Sequence, residues 1–172
     1  MSVQHKLNSG EISWVVHDYL FFNEIKEQVG LEKARDIYCK VWEKVGHTRV
    51  TEAKQKIGIE KAKDFETFKS IMKALTGPTN VIAEDSGSRL VLEFTWCHFC
   101  EVGRTILREP MGNPAGYNSS EWVRVAADAL LDMDRGMVLA TGLEGVSNMV
   151  ESHMCLGDKV CRRVFELKKE SG

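Results

Sequence analysis

The chain has 172 residues and a mass of 19.4 kDa, a length typical of one domain. Its 43% hydrophobic and 28% charged residues are typical of a globular protein and not of a disordered tail. The net charge of −2 argues against a nucleic-acid partner, which would require a positive surface. The chain shows neither the ~18-residue apolar run of a membrane-spanning helix nor a secretory signal, so we expect a cytoplasmic protein without a membrane partner.

The first 78 residues predict three helices. Apolar side chains recur at helical spacing in residues 11–29, 31–57 and 64–75. Glycines follow the first two segments, as they commonly do at helix C-termini, and Asp64 precedes the third as a helix N-cap. We therefore expect a helical N-terminal part.

After residue 80 the hydrophobic pattern changes from helical spacing to alternation. Two alternating segments around a turn at 85–88 predict one hairpin, and 146–168 predicts a second. Between them, a loop rich in proline, glycine and asparagine at 109–120 precedes a helix that reaches about residue 135. An isolated hairpin is only marginally stable, so we expect both hairpins to join one sheet.

The predicted fold class is therefore α+β. N-terminal helices pack on an antiparallel sheet built from two hairpins, with one intervening helix. We expect residues 1–172 to form a single domain, with a helical part at 1–78 and a part at 79–172 that contains the sheet, the later helix and four of the five cysteines.

Those four cysteines form two pairs, one on each predicted hairpin. Without a secretory signal a disulfide framework is not expected, so the pairs indicate a metal site or a reactive thiol. Zinc prefers thiolate and imidazole ligands in a tetrahedral arrangement. Three or four residues of one set are therefore expected to bind zinc: Cys97, Cys100, Glu151, His153, Cys155 and Cys161. The alternative is that the cysteines are small buried hydrophobic residues.

Cys97 is also a candidate nucleophile. It is predicted to end a strand, which would place its side chain on the same face as Glu93. A neighbouring histidine, His98, is a candidate base or ligand, and Trp96 a candidate wall of a pocket. The predicted catalytic residues are therefore Cys97, His98 and Glu93.

Several segments are similar to two known families. Residues 30–35 (GLEKAR), 41–43 (VWE) and 90–97 (LVLEFTWC) resemble the L-2-amino-thiazoline-4-carboxylic acid hydrolase-like proteins. Residues 155–161 (CLGDKVC) resemble the last hairpin of 4-vinyl reductase, or hydrocarbon-binding, domains, which reads roughly E-x-x-C-x-x-G-x-x-x-C. Glu151 lies one residue further from the first cysteine than in that pattern.

The two resemblances imply different functions. The first implies hydrolytic opening of a cyclic amidine, with the strand-end cysteine of that family at Cys97. The second implies zinc held by Cys97 or Cys100 together with Glu151, Cys155 and Cys161. Cys100 is an additional thiol, and the 109–120 loop has no counterpart that we can match.

Two functions therefore remain open. The chain is either a hydrolase that attacks a C–N bond, through a zinc-bound water or through Cys97, or a zinc-containing binding or sensor domain for a small apolar ligand. Three protein ligands to the metal favour catalysis, and four favour a structural site. Either function implies a small-molecule partner, and a homodimer is a further expectation. The residues expected to line a pocket are Phe94, Trp96, Phe99, Trp122 and Met149.

The last strand contains adjacent arginines, Arg162 and Arg163. Charged residues of this kind are typical of solvated edge strands, where they oppose pairing with other chains. We therefore expect this strand to lie at an edge of the sheet.

Overall fold

The computed structural model describes residues 8–77, 80–105 and 119–168. Almost all of the predicted 109–120 loop lies outside these residues. In chain order the described residues form α1 (Ser9–Val29), α2 (Leu31–Ile57), α3 (Phe65–Ala74), β1 (Asn80–Asp85), β2 (Arg89–Phe94), α4 (His98–Thr105), α5 (Ser119–Thr141), β3 (Val146–Ser152), a 3-10 turn (Met154–Leu156) and β4 (Cys161–Leu167). The short helix α4 was not predicted, so two helices separate the hairpins.

Polar caps and glycines set the ends of the N-terminal helices. The Asn8 side chain accepts a hydrogen bond from the Glu11 backbone N–H, and the Glu11 carboxylate accepts one from the Asn8 N–H. This capping box satisfies two amide groups at the start of α1. Gly58 ends α2 in the left-handed conformation, with φ of 72°, which other residues rarely adopt. Asp64 caps α3 through the backbone N–H of Thr67, as predicted.

The four strands form one antiparallel sheet in the order β1-β2-β4-β3. The two hairpins therefore join through β2 and β4, and the predicted α+β class is confirmed. The edge prediction for the last strand is wrong, because β4 is central and the edges are β1 and β3. Arg163 on β4 is buried and faces α5, where its guanidinium lies 3.0 Å from the Asp134 carboxylate.

The two faces of the sheet have different chemistry. The inner face, covered by helices, contributes Leu90, Leu92 and Phe165 to the hydrophobic core. On the outer face Arg89 forms ion pairs with Glu84, Glu151 and Glu166, and Arg162 pairs with Glu93 and Glu151. Side chains alternate between the faces, so only every second strand residue can reach a site among the helices.

Two glycines allow α2 and α5 to approach closely. A Cβ atom at Gly46 would overlap the carbonyl oxygen of Met133, and one at Gly136 would overlap that of Glu43. Backbone therefore packs on backbone where the two longest helices cross. No helix in the described segments is long and apolar enough to cross a membrane.

Candidate functional site

A cavity of about 320 Å³ lies where one end of the sheet meets α1, α2, α4 and α5. Its volume is at the lower end of the ~300–1,000 Å³ typical of small-molecule sites. It is lined by Trp14, Trp42, Arg49, Leu75, Gly77, Asn80, Phe94, Trp96, Cys97, His98, Phe99, Leu130, Met133, Cys161 and Arg163. One or two fused rings are the expected size of a ligand.

Aromatic rings dominate the wall of the cavity. Trp14 and Trp42 each lie edge-on to Phe99, with ring centroids 5.3 and 5.4 Å apart, and the two indoles are 6.2 Å from each other. Edge-to-face contacts of this kind hold each ring in one orientation. The wall is therefore apolar, with fixed rings that can pack against a planar ligand.

Arg163 is the buried arginine of the cavity wall. Its guanidinium stacks on Phe94, 4.2 Å from the ring centroid, and pairs with Asp134. Asp134 is fully buried, and this burial raises the pKa of its carboxyl to about 6 although Arg163 and Arg49 oppose the shift. The Nε of Arg163 has no hydrogen-bond partner among the described residues. Arg163 is thus held by Asp134 and Phe94, and the carboxylate offsets its charge.

Arg49 is the exposed arginine of the cavity wall. It follows Trp42 by two helical turns on α2, and part of its side chain is exposed to solvent. Its guanidinium lies 4.0 Å from the Met133 sulfur. Burial lowers the pKa of Arg49, and the charge of Arg163 lowers it further. Within the described segments no carboxylate lies within 4.0 Å of this guanidinium.

Three cysteines meet beside the cavity. Cys97 directly precedes α4, Cys100 is in its first turn, and Cys155 is in the 3-10 turn. Their sulfurs all lie within 4.8 Å of one another, and those of Cys97 and Cys155 are 3.8 Å apart. Two sulfurs bound at ~2.3 Å to a tetrahedral zinc would be about 3.8 Å apart. The three thiols are therefore placed to hold one metal ion.

Cys161 adjoins this group. The backbone N–H of Met154 donates to its sulfur over 3.2 Å. A hydrogen bond from Cys97 lowers the pKa of Cys161 to about 6, helped by the Met154 N–H and by the charge of Arg163. We call these four thiols the cysteine cluster. Two of them, Cys97 and Cys161, line the cavity.

Cys97 has the opposite pKa shift. Its contact with Cys100 lowers the pKa, but hydrogen bonds to Cys155 and Cys161, together with burial, raise it well above the usual value. The two shifts have opposite directions because the Cys97 thiol donates a hydrogen bond to the Cys161 sulfur.

The structure does not bring the predicted acidic residues to the cluster. Glu93 pairs with Arg162, and Glu151 with Arg89 and Arg162, on the outer face of the sheet. Cys97 was expected to share a face with Glu93, but β2 ends at Phe94, and Cys97 lines the cavity on the inner side. The strand alternation therefore does not extend to residue 97.

The two predicted histidines lie close to cysteines in the chain, His98 as the first residue of α4 and His153 directly before the 3-10 turn. His98 Nε2 is 3.0 Å from a Glu11 oxygen, and its ring lies edge-on to Trp96 with centroids 4.2 Å apart. The backbone N–H of His153 donates to Asp158, and burial lowers the pKa of the imidazole. His98 lines the cavity, but it is oriented by Glu11 from α1.

Three of the predicted lining residues, Phe94, Trp96 and Phe99, do line the cavity. Trp122 is fully buried behind Phe99, at a centroid distance of 5.5 Å. Met149 was predicted wrongly, because it pairs with Val164 on the outer face and is 42% exposed.

Sequence reasoning missed both arginines and two indoles of the cavity. Alternation along β4 was a usable signal for Arg163, since it shares a face with the core residue Phe165. Trp14, Trp42 and Arg49 had no comparable signal, because their helices meet the sheet only in the folded chain.

No protein-family model matches the chain, and no curated protein matches it. Among solved structures, the chain is similar to the phenol-responsive sensory domain of the transcription activator PoxR, determined with phenol. The two are 12% identical with a TM-score of 0.54, and the match covers 97% of this chain and 76% of that chain. At this identity the likeness concerns the fold alone. None of the comparisons supports membership of the hydrolase-like family.

Proposed function

We propose that the chain is a small-molecule binding or sensor domain whose cavity takes a small aromatic ligand. The observation that carries the proposal is the aromatic cavity of about 320 Å³, lined by rings from both the sheet and the helices. Apolar walls with a few directed polar groups are the usual composition of a ligand site. The fold shared with a domain that responds to phenol supports this function.

We further propose that the cysteine cluster binds zinc as a structural site. Soft thiolate ligands favour zinc, and four of them close its tetrahedral shell. Three thiols lie within 4.8 Å of one another, and Cys161 contacts the same turn through Met154. The metal would join α4, the 3-10 turn and β4, and would hold Cys97 and Cys161 in the cavity wall.

Hydrolysis of a cyclic amidine stays a prediction. A cysteine nucleophile reacts as the thiolate, whereas the pKa of Cys97 is raised by its thiol neighbours and by burial. A zinc held by four thiolates has no position for a water. Both arguments favour binding over catalysis at this site.

Calorimetric titration with phenol, benzyl alcohol and indole tests the proposed function. We expect saturable binding of at least one probe, with one site per chain. Leu75→Trp should abolish that binding, because Leu75 lines the cavity and is only partly buried, so a larger side chain can fill the space. Leu139→Trp is the matched control, since Leu139 is 61% exposed outside the cavity.

The proposed function is contradicted if the zinc-loaded protein binds none of the three probes at millimolar concentration. It is also contradicted if Leu75→Trp, with an unchanged melting temperature, binds as tightly as the parent chain. In that case the probe would bind elsewhere on the surface.

A further inference from the structure

The charges around the cavity are unequal. Its described lining residues include two arginines, Arg49 and Arg163. They include no lysine, aspartate or glutamate. Arg163 is already paired with Asp134 at 3.0 Å, whereas Arg49 has no carboxylate within 4.0 Å in the described segments. The cavity wall therefore contains one arginine without a direct ion pair, and Asp134 and Glu52 act on its charge only from a longer distance.

We propose that the ligand is an anion, a small aromatic carboxylate whose carboxylate binds Arg49 while its ring packs against Trp14, Trp42 and Phe99. This inference rests on the proposed function and specifies the ligand class of the same cavity. A guanidinium presents parallel N–H donors that match a carboxylate in two hydrogen bonds.

The position of Arg49 sets the orientation of the ligand. The Trp42 and Arg49 side chains are seven residues apart on α2, about 10 Å along the helix axis at 1.5 Å per residue. A ring near Trp42 can therefore extend a carboxylate towards Arg49 and the solvent. In this orientation the anion stays beside the exposed Arg49, where desolvation costs less than beside the buried Arg163.

Arg163 is paired with Asp134 at 3.0 Å, so this carboxylate offsets its charge. Arg49 is the cation that can attract an anionic ligand, so the preference for a carboxylate depends on this single residue.

Benzoate and benzyl alcohol are the probes that test this inference, because they share a ring and a similar size and differ in charge. We expect the parent chain to bind benzoate about tenfold more tightly than benzyl alcohol at neutral pH and low salt, as charge-assisted hydrogen bonds are roughly twice as strong as neutral ones. Added salt should reduce the benzoate affinity, since Arg49 is partly exposed. Quenching of the cavity tryptophans provides the readout.

Arg49→Gln should bring the two affinities to within about twofold while benzyl alcohol binding stays unchanged, and Arg49→Lys should restore part of the difference. Arg35→Gln is the matched control, because Arg35 is exposed on the same helix and pairs with Asp128 outside the cavity. Its preference for benzoate should equal that of the parent chain.

Three results would overturn the inference. Benzyl alcohol binding as tightly as benzoate would refute the anion while leaving the proposed function intact. An undiminished benzoate preference in Arg49→Gln would refute the role of Arg49. Binding of neither probe, nor of phenol or indole, would refute the proposed function and the inference with it.

Discussion

At the scale of single residues, the pair of Asp134 and Arg163 decides how the buried part of the cavity wall is built. Both side chains are buried, and their charges lie 3.0 Å apart. A buried ion pair adds little net stability, because desolvation offsets the attraction, but removing one partner leaves an uncompensated charge. We therefore assign the pair the role of fixing Arg163 over Phe94.

Asp134 is expected to make the folded state less stable as the pH rises. Burial raises its pKa from 3.8 to about 6, so the folded state binds this proton more tightly than the unfolded chain. The resulting stabilisation is full below pH 3.8 and is lost as the pH rises through about 6. Relative to Asp134→Asn, the free energy of unfolding of the parent chain should fall across this window by on the order of 2–3 kcal/mol.

Urea unfolding of the parent chain and Asp134→Asn at several pH values measures this difference. In the variant Arg163 has lost its partner, which lowers the free energy of unfolding by an amount that does not change with pH. The test is therefore how the difference between the two proteins changes with pH. Asp36→Asn, which removes an exposed carboxylate paired with Lys40, should show a much smaller slope. A difference that is flat or rises with pH would contradict the assignment to Asp134.

At the scale of elements, the crossing of α2 and α5 sets the position of Trp42, Arg49 and Met133. The helices touch through Gly46 and Gly136, where a Cβ atom would overlap backbone. Gly46→Ala should gain about 1 kcal/mol in helix propensity, but it must push the helices apart. Overpacking of this kind costs about 1–3 kcal/mol, so we expect a net loss of stability and weaker ligand binding.

Chemical denaturation and the benzyl alcohol affinity of Gly46→Ala test this expectation. Gly87→Ala is the control, because nothing lies within 4 Å of its added Cβ and its φ is not positive. It should change the free energy of unfolding by less than about 0.5 kcal/mol. Gly46→Ala as stable as Gly87→Ala would mean that the helices do not pack as closely as described.

At the scale of the whole molecule, the cysteine cluster joins parts that are far apart in the chain. Cys97 and Cys100 precede α5, and Cys155 and Cys161 follow it. Metal-binding free energy becomes folding free energy when ligands come from separate segments. Protein purified without added metal should therefore contain zinc, and a chelator should lower its melting temperature.

Cys97→Ala should lose most of the zinc and melt at a lower temperature, and the chelator should then have little further effect. Cys39→Ala is the control, since Cys39 lies on α2 and burial raises the pKa of its thiol to about 12. Metal analysis and thermal melts of both variants provide the readout. Unchanged zinc content in Cys97→Ala would remove Cys97 from the site.

Elements with strong local signals were predictable from the sequence. The alternation in 89–95, the helical stripe in 31–57 and the cap at Asp64 all arise from neighbours in the chain, and the structure has β2, α2 and α3 there. The short helix α4 was missed because its eight residues hold too few apolar positions to show a period. For the cysteines, the sequence predicted only that the two hairpins, each with one cysteine pair, would come together.

The sequence by itself determined the helical part, the two hairpins and the two cysteine pairs, because each depends on spacing along the chain. Only the tertiary structure decided the rest of the site. The joining of β2 to β4 turned Arg163 inward and left Glu93 and Glu151 on the outer face. The approach of α1 and α2 brought Trp14, Trp42 and Arg49 to the cavity. These contacts link residues dozens of positions apart, and no local pattern encodes which face meets which.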